Sequence, residues 1–381
     1  MNYPIYLDYN ATTPVDQRVL DVMLPYLTTH FGNAASRTHV FGMQAESAVA
    51  QARRQVAALI GAAPVEIVFT SGATESINLA LKGTFEANSH RGSHIITVAT
   101  EHKAGLDTCA HLEQLGAEVT YLTPDADGLI TPEQVEAAIR PGTLLVSVML
   151  ANNETGVIQP LWAIAELARQ RGILVHTDAT QAVGKLPIDL ADLPVDLLSF
   201  SGHKLYAPKG IGALFVRQKT PLLAQQDGGR HERARRSGTL NVPGIVALGE
   251  ATELADTLMA EEAIRLATLR DMLETGILAN VPDVQVNGSR AHRLPNTANL
   301  AFANVDGESL LMSLNEIAVS NGSACTAAST DPSHVLKTMG LSDDLAYSSV
   351  RFSLGRFTTE SDIEQAVRHV SQVVERLRTF A

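Results

Sequence analysis

Cysteine is nearly absent: Cys109 and Cys325 are the only two in 381 residues. Two thiols build no disulfide framework, and neither lies in a C-x-x-C pair or beside histidines spaced for zinc. That leaves room for one reactive thiol. Long apolar runs are missing as well. The longest nearly uninterrupted one, 144–151 (LLVSVMLA), falls far short of the ~20 residues a membrane helix needs. The opening MNYPIYLDYN has neither a basic stretch before an apolar core nor an Arg-rich amphipathic pattern, so no targeting signal is legible and a cytoplasmic location is expected. Basic residues are in deficit. The 29 Lys and Arg against 41 Asp and Glu leave a net charge of −12, which repels polyanions and disfavours nucleic acid as a partner. Internal repeats and low-complexity linkers are not found either, so the packing units are expected to pack closely rather than swing.

What is present is an ordinary globular composition, 45% hydrophobic and 18% charged, over a length that suits two or three packing units at about 150 residues each. From about residue 55 to 217, helical patterns alternate with short β-branched runs: 66–70, 94–98, 118–122, 144–149, 173–178, 197–201 and 212–216. Such alternation predicts an α/β fold with a mostly parallel sheet covered by helices. The nearly all-apolar strands must be buried on both faces. A long helical pattern over 249–278 is placed to bridge two units; the runs at 294–305 and 350–355 and a last helix over 359–378 predict a smaller α+β domain. The expected division is a large domain, 15–257, and a small one made of 1–14 and 258–381.

Several strand ends carry chemistry. EIVFT-SGATES reads strand, Gly turn, helix, and puts Ala73 and Thr74 where unpaired helix-start amides cradle an anion; the spacing is neither that of a nucleotide loop nor of a dinucleotide fingerprint. Asp178 ends a buried strand at the edge where open α/β sheets bind ligands, and suits a positively charged ring nitrogen. Lys204 follows Ser201 and His203, which can donate to phosphate; an amine there can form a Schiff base if its surroundings lower its pKa. His102 and Asn153 sit just past two further strands, and an imidazole there can stack on a flat ring or move a proton. Taken singly, each also fits a structural role: a plain strand-to-helix turn, an N-cap, a solvated lysine, an edge histidine, a turn asparagine. The small polar run 320–329 (SNGSACTAAS) around Cys325 favours an exposed, chemically used thiol on an easily moved loop, whereas Cys109, in the helical pattern DTCAHLEQLG, reads as structural. The basic run 227–238 reads as a solvated face, with Thr239 just after it able to donate to a phosphate.

The order of phosphate cradle, ring-nitrogen acid and Schiff-base lysine is that of pyridoxal 5′-phosphate enzymes. From about Tyr6 to Arg378 the chain resembles the cysteine desulfurases of the NifS/IscS type, within the class V aminotransferase-like, fold-type I enzymes. The resemblance is carried by YLDYNATTP (6–14), FGNAASRTH (31–39), FTSGATES (69–76), TEHKA (100–104), NNETG (152–156), HTDATQAVGKLPID (176–189), SFSGHK (199–204), APKG (207–210), RRSGT (235–239), GSACT (322–326) and RFSLGR (351–356). It implies that Lys204 binds the cofactor aldehyde, Asp178 pairs with the pyridinium nitrogen, Gln181 faces the ring hydroxyl and His102 stacks on the ring. Ala73, Thr74, Ser201 and His203 would hold the phosphate, joined by Thr239 from the second subunit of a homodimer. Asn153 and Arg351 would fix the carboxylate of L-cysteine, and Cys325 would take its sulfur for an acceptor protein such as an iron–sulfur scaffold. Selenocysteine lyase, plain aminotransferase and a catalytically silent cofactor-binding scaffold are the alternatives on this fold; an aminotransferase has no need of Cys325, and a silent scaffold none of Lys204, His102 and Cys325 together. Two departures stand out. Ala34 replaces a proline common among relatives, which loosens a loop without touching chemistry, and the chain stops at Ala381 where many scaffold-serving relatives carry a further tail, so scaffold docking is a weaker expectation than sulfur mobilisation.

Overall fold

The computed structural model describes residues 3–321 and 332–380. Its strands are β1 (Ile5–Tyr6), β2 (Ile67–Thr70), β3 (His94–Val98), β4 (Glu118–Leu122), β5 (Thr143–Ser147), β6 (Leu174–Asp178), β7 (Leu197–Ser201), β8 (Gly212–Val216), β9 (Val284–Val286), β10 (Thr297–Phe302), β11 (Ile317–Ala318) and β12 (Ser349–Ser353). Strands β2 to β8 form one sheet in the order β2-β8-β7-β6-β5-β3-β4. Every pairing is parallel except those of β8, which runs antiparallel to β7 and β2. The apolar strands β2, β3, β7 and β8 are buried throughout, as helices on both faces require, while β4 at the sheet edge is partly exposed. All seven runs expected from the β-branched pattern are strands of this one sheet.

The long helix starts at Val242 and ends at Asn280, seven residues ahead of the expected start at 249. Pro243 is tolerated because in the first turn a proline lacks only an N–H that no intrahelical carbonyl would have received, and Asn241 caps the helix by accepting from Gly244 N–H. Its apolar stripe serves two cores in turn. Val242, Ile245, Leu248, Ala251 and Ala255 join the core beneath the large sheet, whereas Leu266, Leu269, Leu273 and Ile277 join a second core with Leu300, Phe302, Val350 and Phe352. That second core is closed by the antiparallel sheet β12-β10-β9 and the Glu360–Phe380 helix. The Thr359/Asp362 pair caps this helix reciprocally, Thr359 N–H donating to Asp362 and Asp362 N–H to the Thr359 hydroxyl. The N-terminal strand β1 pairs with β11, so residues 7–13 run from the second core across to the large sheet's ligand edge.

Candidate active site

The C-terminal ends of β2, β3, β5, β6 and β7 open on one edge of the sheet, where a cavity of about 390 Å³ lies. Ala73, Thr74, His102, Asn153, Asp178, Gln181, Ser201, His203, Lys204 and Arg351 all line it, together with Asn10, Thr180 and Gly72. Residues far apart in sequence thus meet: the parallel strands deliver most of them side by side, and Asn10 and Arg351 of β12 close the cavity from the N-terminal segment and the smaller sheet. Two expected residues are not among them. Thr239 is exposed and outside the lining, and Cys325 lies outside the described residues.

At one end of the cavity the Ala73–Asn88 helix begins at Gly72, which provides no side-chain cap. Its first-turn amides have no intrahelical acceptor, and the helix dipole adds positive potential. The approach depends on glycine: Gly72 has φ +154°, and a Cβ on Gly212 of β8 would come within 2.7 Å of Gly72 Cα. His203 stands close by, its Nδ1 3.1 Å from Thr12 Oγ1. Burial, then the charges of Lys204, Lys209 and Lys185, push His203 down to about 4, so the ring is neutral at neutral pH.

Lys204 Nζ donates to the carbonyls of Asn10 and Ala11, at 2.5 and 2.7 Å. The Asn10 carbonyl also accepts from Gln181 Nε2 at 3.0 Å, and Gln181 Oε1 accepts from Lys185 Nζ at 3.0 Å. One amide is thereby oriented between two lysines. Burial first, then Lys204 and Arg351, push Lys185 down to about 7. Asp178, 5% exposed, accepts from Thr180 N–H at 2.9 Å through Oδ1; the Thr180 hydroxyl oxygen is buried without a hydrogen-bond partner in the cavity wall. His102 caps the Lys103–Gln114 helix: Nδ1 accepts from Ala104 N–H at 3.1 Å, which in the neutral ring leaves the proton on Nε2.

Opposite, Arg351 is almost wholly buried, its guanidinium donating to Asp8 Oδ1 at 2.6 Å and to the Asn153 carbonyl at 2.9 Å. A buried guanidinium needs such partners, and the fork is anchored rather than free to swing. Sequence reasoning passed over Asn10, Glu101, Glu154, Lys185 and His334. Four of these sit inside quoted motifs, yet their contacts cross the chain: Glu154 accepts from Ser333 Oγ, and His334 Nε2 lies 3.1 Å from the Glu101 carbonyl. Burial raises both carboxyl groups, Glu101 well above its ordinary range. Cys109, fully buried under the sheet, is pushed up to about 12, by burial first and then by Glu101 and Glu113; it is an inert thiol, as expected.

The basic run 227–238 is the expected solvated face only in part: Arg230 and Arg233 are exposed, but the run is tied down at specific points. Arg236 pairs with Glu75 in the first turn of the Ala73–Asn88 helix at 2.7 Å, and Arg233 donates to the Ile67 carbonyl. Although burial works the other way, Arg236 and Ser71 hold Glu75 below the usual carboxylate range.

Residues 5–366 match the family model "Aminotransferase class-V". Among curated proteins the chain is 54% identical over 383 residues to the cysteine desulfurase IscS of Anaeromyxobacter dehalogenans (strain 2CP-C), and 56% identical over 385 residues to that of Escherichia coli O139:H28 (strain E24377A / ETEC); both alignments cover 100% of this chain and 95% of the relative. Among solved structures it is similar to a "NifS-like protein" at TM-score 0.92 and 37% identity, covering 98% of this chain and 100% of that one. It is also similar to "SspA in complex with cysteine" at TM-score 0.83 and 41% identity, over 93% and 100%.

Proposed function

The chain belongs to the class-V aminotransferase family and, within it, to the cysteine desulfurases, and from that premise we propose how its own residues carry the reaction. L-Cysteine and the Cys325 thiol are converted to L-alanine and a persulfide on Cys325: the substrate Cβ–S bond breaks, a S–S bond forms, and the carbon skeleton leaves after protonation. The observation that carries this reading is the single cavity that gathers Lys204, Asp178, His102 and Arg351 from four distant stretches of chain.

The residues present fit pyridoxal 5′-phosphate. An uncapped helix start beside Ser201 and His203 suits a phosphate, the orphaned Thr180 hydroxyl awaits a polar partner, and a buried carboxylate and a lysine lining one cavity suit a protonated ring with an aldehyde. When bound, this cofactor supplies the electron sink that lets the substrate's Cα–H and Cβ–S bonds weaken. Ala73, Thr74, Ser201 and His203 would hold the phosphate. Asp178 would pair with the ring nitrogen, and Thr180 N–H holds that carboxylate in place. Gln181 would meet the ring hydroxyl, its amide oriented by Lys185 and the Asn10 carbonyl. His102, with Nδ1 committed to its helix cap, would offer Nε2–H to the bound group. Lys204 would bind the aldehyde and would be the base for the Cα proton. Asn153 and the Arg351 fork take the substrate carboxylate.

Thr239 is exposed on its own subunit and outside its own cavity, which supports a homodimer in which it serves the neighbour's phosphate. The exposed, mutually packed Phe31 and Phe41 offer apolar surface for such a contact. The division into a 15–257 domain and a 1–14 plus 258–381 domain is supported by the two cores that the long helix serves. A sulfur-acceptor protein, such as an iron–sulfur scaffold, then takes the persulfide sulfur.

The test is exposure of the holoenzyme to L-cysteine, with alanine quantified and the Cys325 peptide weighed. Wild type releases alanine and gains one sulfur on that peptide; Cys325→Ser binds cofactor but gains none, and Lys204→Ala loses the covalent cofactor link and turnover. A keto acid as product, or normal turnover by Lys204→Ala, overturns the reading. Light scattering at micromolar concentration checks the dimer.

A further inference from the structure

Within the basic run stands one buried acid, Glu232, with a side chain only 1% exposed. It opens a stretch of left-handed backbone: Glu232, Arg233 and Ala234 have φ of +46°, +57° and +62°. Non-glycine residues avoid this region, and a run of three persists only where the surroundings over-determine it. The Glu232 carboxylate supplies that determination. Oε2 accepts from the Phe69 N–H of β2 at 2.8 Å and from Arg53 Nη1 at 2.8 Å, and Oε1 accepts from Arg53 Nη2 at 2.5 Å.

β2 is the outermost strand of the sheet, paired with β8 on one side only. Its other edge would leave backbone groups unpaired. Glu232 takes the Phe69 amide, while Arg53 and Arg233 both donate to the Ile67 carbonyl, at 2.6 and 2.5 Å. The edge is thus closed by a clasp of three side chains instead of a strand. Four residues on, Arg236 makes the second fastening, on Glu75, and the chain then releases Thr239 into solvent.

We propose that Glu232 is a positioning residue for the neighbouring subunit's active site: docked on the open edge of β2 through Arg53, it sets the path of 235–239 and so presents Thr239 to the phosphate of a second copy. This rests on the reading above that Thr239 works across the dimer. It differs from a merely structural role in where the defect falls. A broken clasp harms the partner's site and spares the one on its own chain.

Mixed dimers separate the two. Differently tagged chains are co-expressed, purified through both tags with cofactor present, and assayed for cysteine turnover and for cofactor absorbance retained after dialysis. Homodimers of E232Q, which keeps the shape of the side chain but removes the charge facing Arg53, are expected to lose tenfold or more in cofactor affinity and turnover; K204A homodimers are inactive. In the E232Q/K204A dimer, the chain with intact Lys204 receives Thr239 from a chain with an intact clasp. That dimer should recover the activity of wild-type/K204A, about half of wild type, with one tightly held cofactor. Failure to recover while T239V/K204A does recover overturns the role of Glu232 alone. Failure of both overturns the cross-subunit reading and the inference with it, and E232Q homodimers with wild-type affinity and rate overturn the inference directly. If E232Q yields no soluble dimer, R53Q breaks the same clasp and is paired with K204A under the same expectations.

Discussion

Arg351 is the residue whose setting most constrains the chemistry. Its guanidinium is held at two points, by Asp8 and by the Asn153 carbonyl, which fixes the plane of the fork before any carboxylate arrives. A lysine ammonium there keeps the charge but loses the planar, bidentate geometry. Arg351→Lys should therefore raise KM for L-cysteine roughly tenfold or more while leaving the absorbance of the bound cofactor unchanged, since no proposed cofactor contact involves Arg351. Steady-state kinetics beside a spectrum of the resting enzyme checks this. A KM within twofold of wild type removes Arg351 from carboxylate binding. Lys185 is a different lesson at the same scale: nothing in the spacing of HTDATQAVGK marks it, and only its 3.0 Å contact to Gln181 Oε1 shows that it orients a cavity amide.

Among the elements, the start of the Ala73–Asn88 helix does the most for the least sequence. Gly72 leads β2 into the helix with φ +154°, where a side chain is strained although a Cβ would clear its nearest neighbour, Ser201 Oγ, at 3.4 Å. Gly72→Ala is expected to cost roughly 1–3 kcal/mol in backbone strain, relieved by rotating the first turn. That rotation re-aims the amides of Ala73 and Thr74. Cofactor retained after gel filtration should fall well below wild type, with a drop of a few degrees in Tm. An unchanged affinity would show that the helix start is not the phosphate site.

For the whole molecule, buried neutral histidines tie stability to pH. His176 on β6 lies 2.9 Å from Ser147 Oγ of β5 and 2.9 Å from Ser199 Oγ of β7, joining three central strands, and burial pushes it down to about 3. Because its folded pKa lies below that of the unfolded chain, the unfolded state binds the extra proton first; the contribution is complete above pH ~6.5 and is lost as pH falls toward 3. Between pH 7 and 4.5 this amounts to roughly 2–3 kcal/mol, so His176→Gln should lose less stability than wild type by about that amount on acidification. Denaturant titrations of both proteins at the two pH values measure it, and identical losses would refute the assignment. Of this molecule the sequence by itself determined the local parts: the seven strand positions, the Gly turn at 72, the last helix and the motif residues 73, 74, 102, 153, 178, 181, 201, 203, 204 and 351 that line the cavity. These follow from side-chain periodicity, backbone preference and matched motifs, which act over a few neighbours. The reversal of β8, the early start of the long helix, the Lys185–Gln181–Asn10 chain and the clasp of Glu232 with Arg53 were decided only by tertiary structure. Each joins or places groups by burial and by the need to pair every buried polar atom, and those demands exist only once distant segments share one interior.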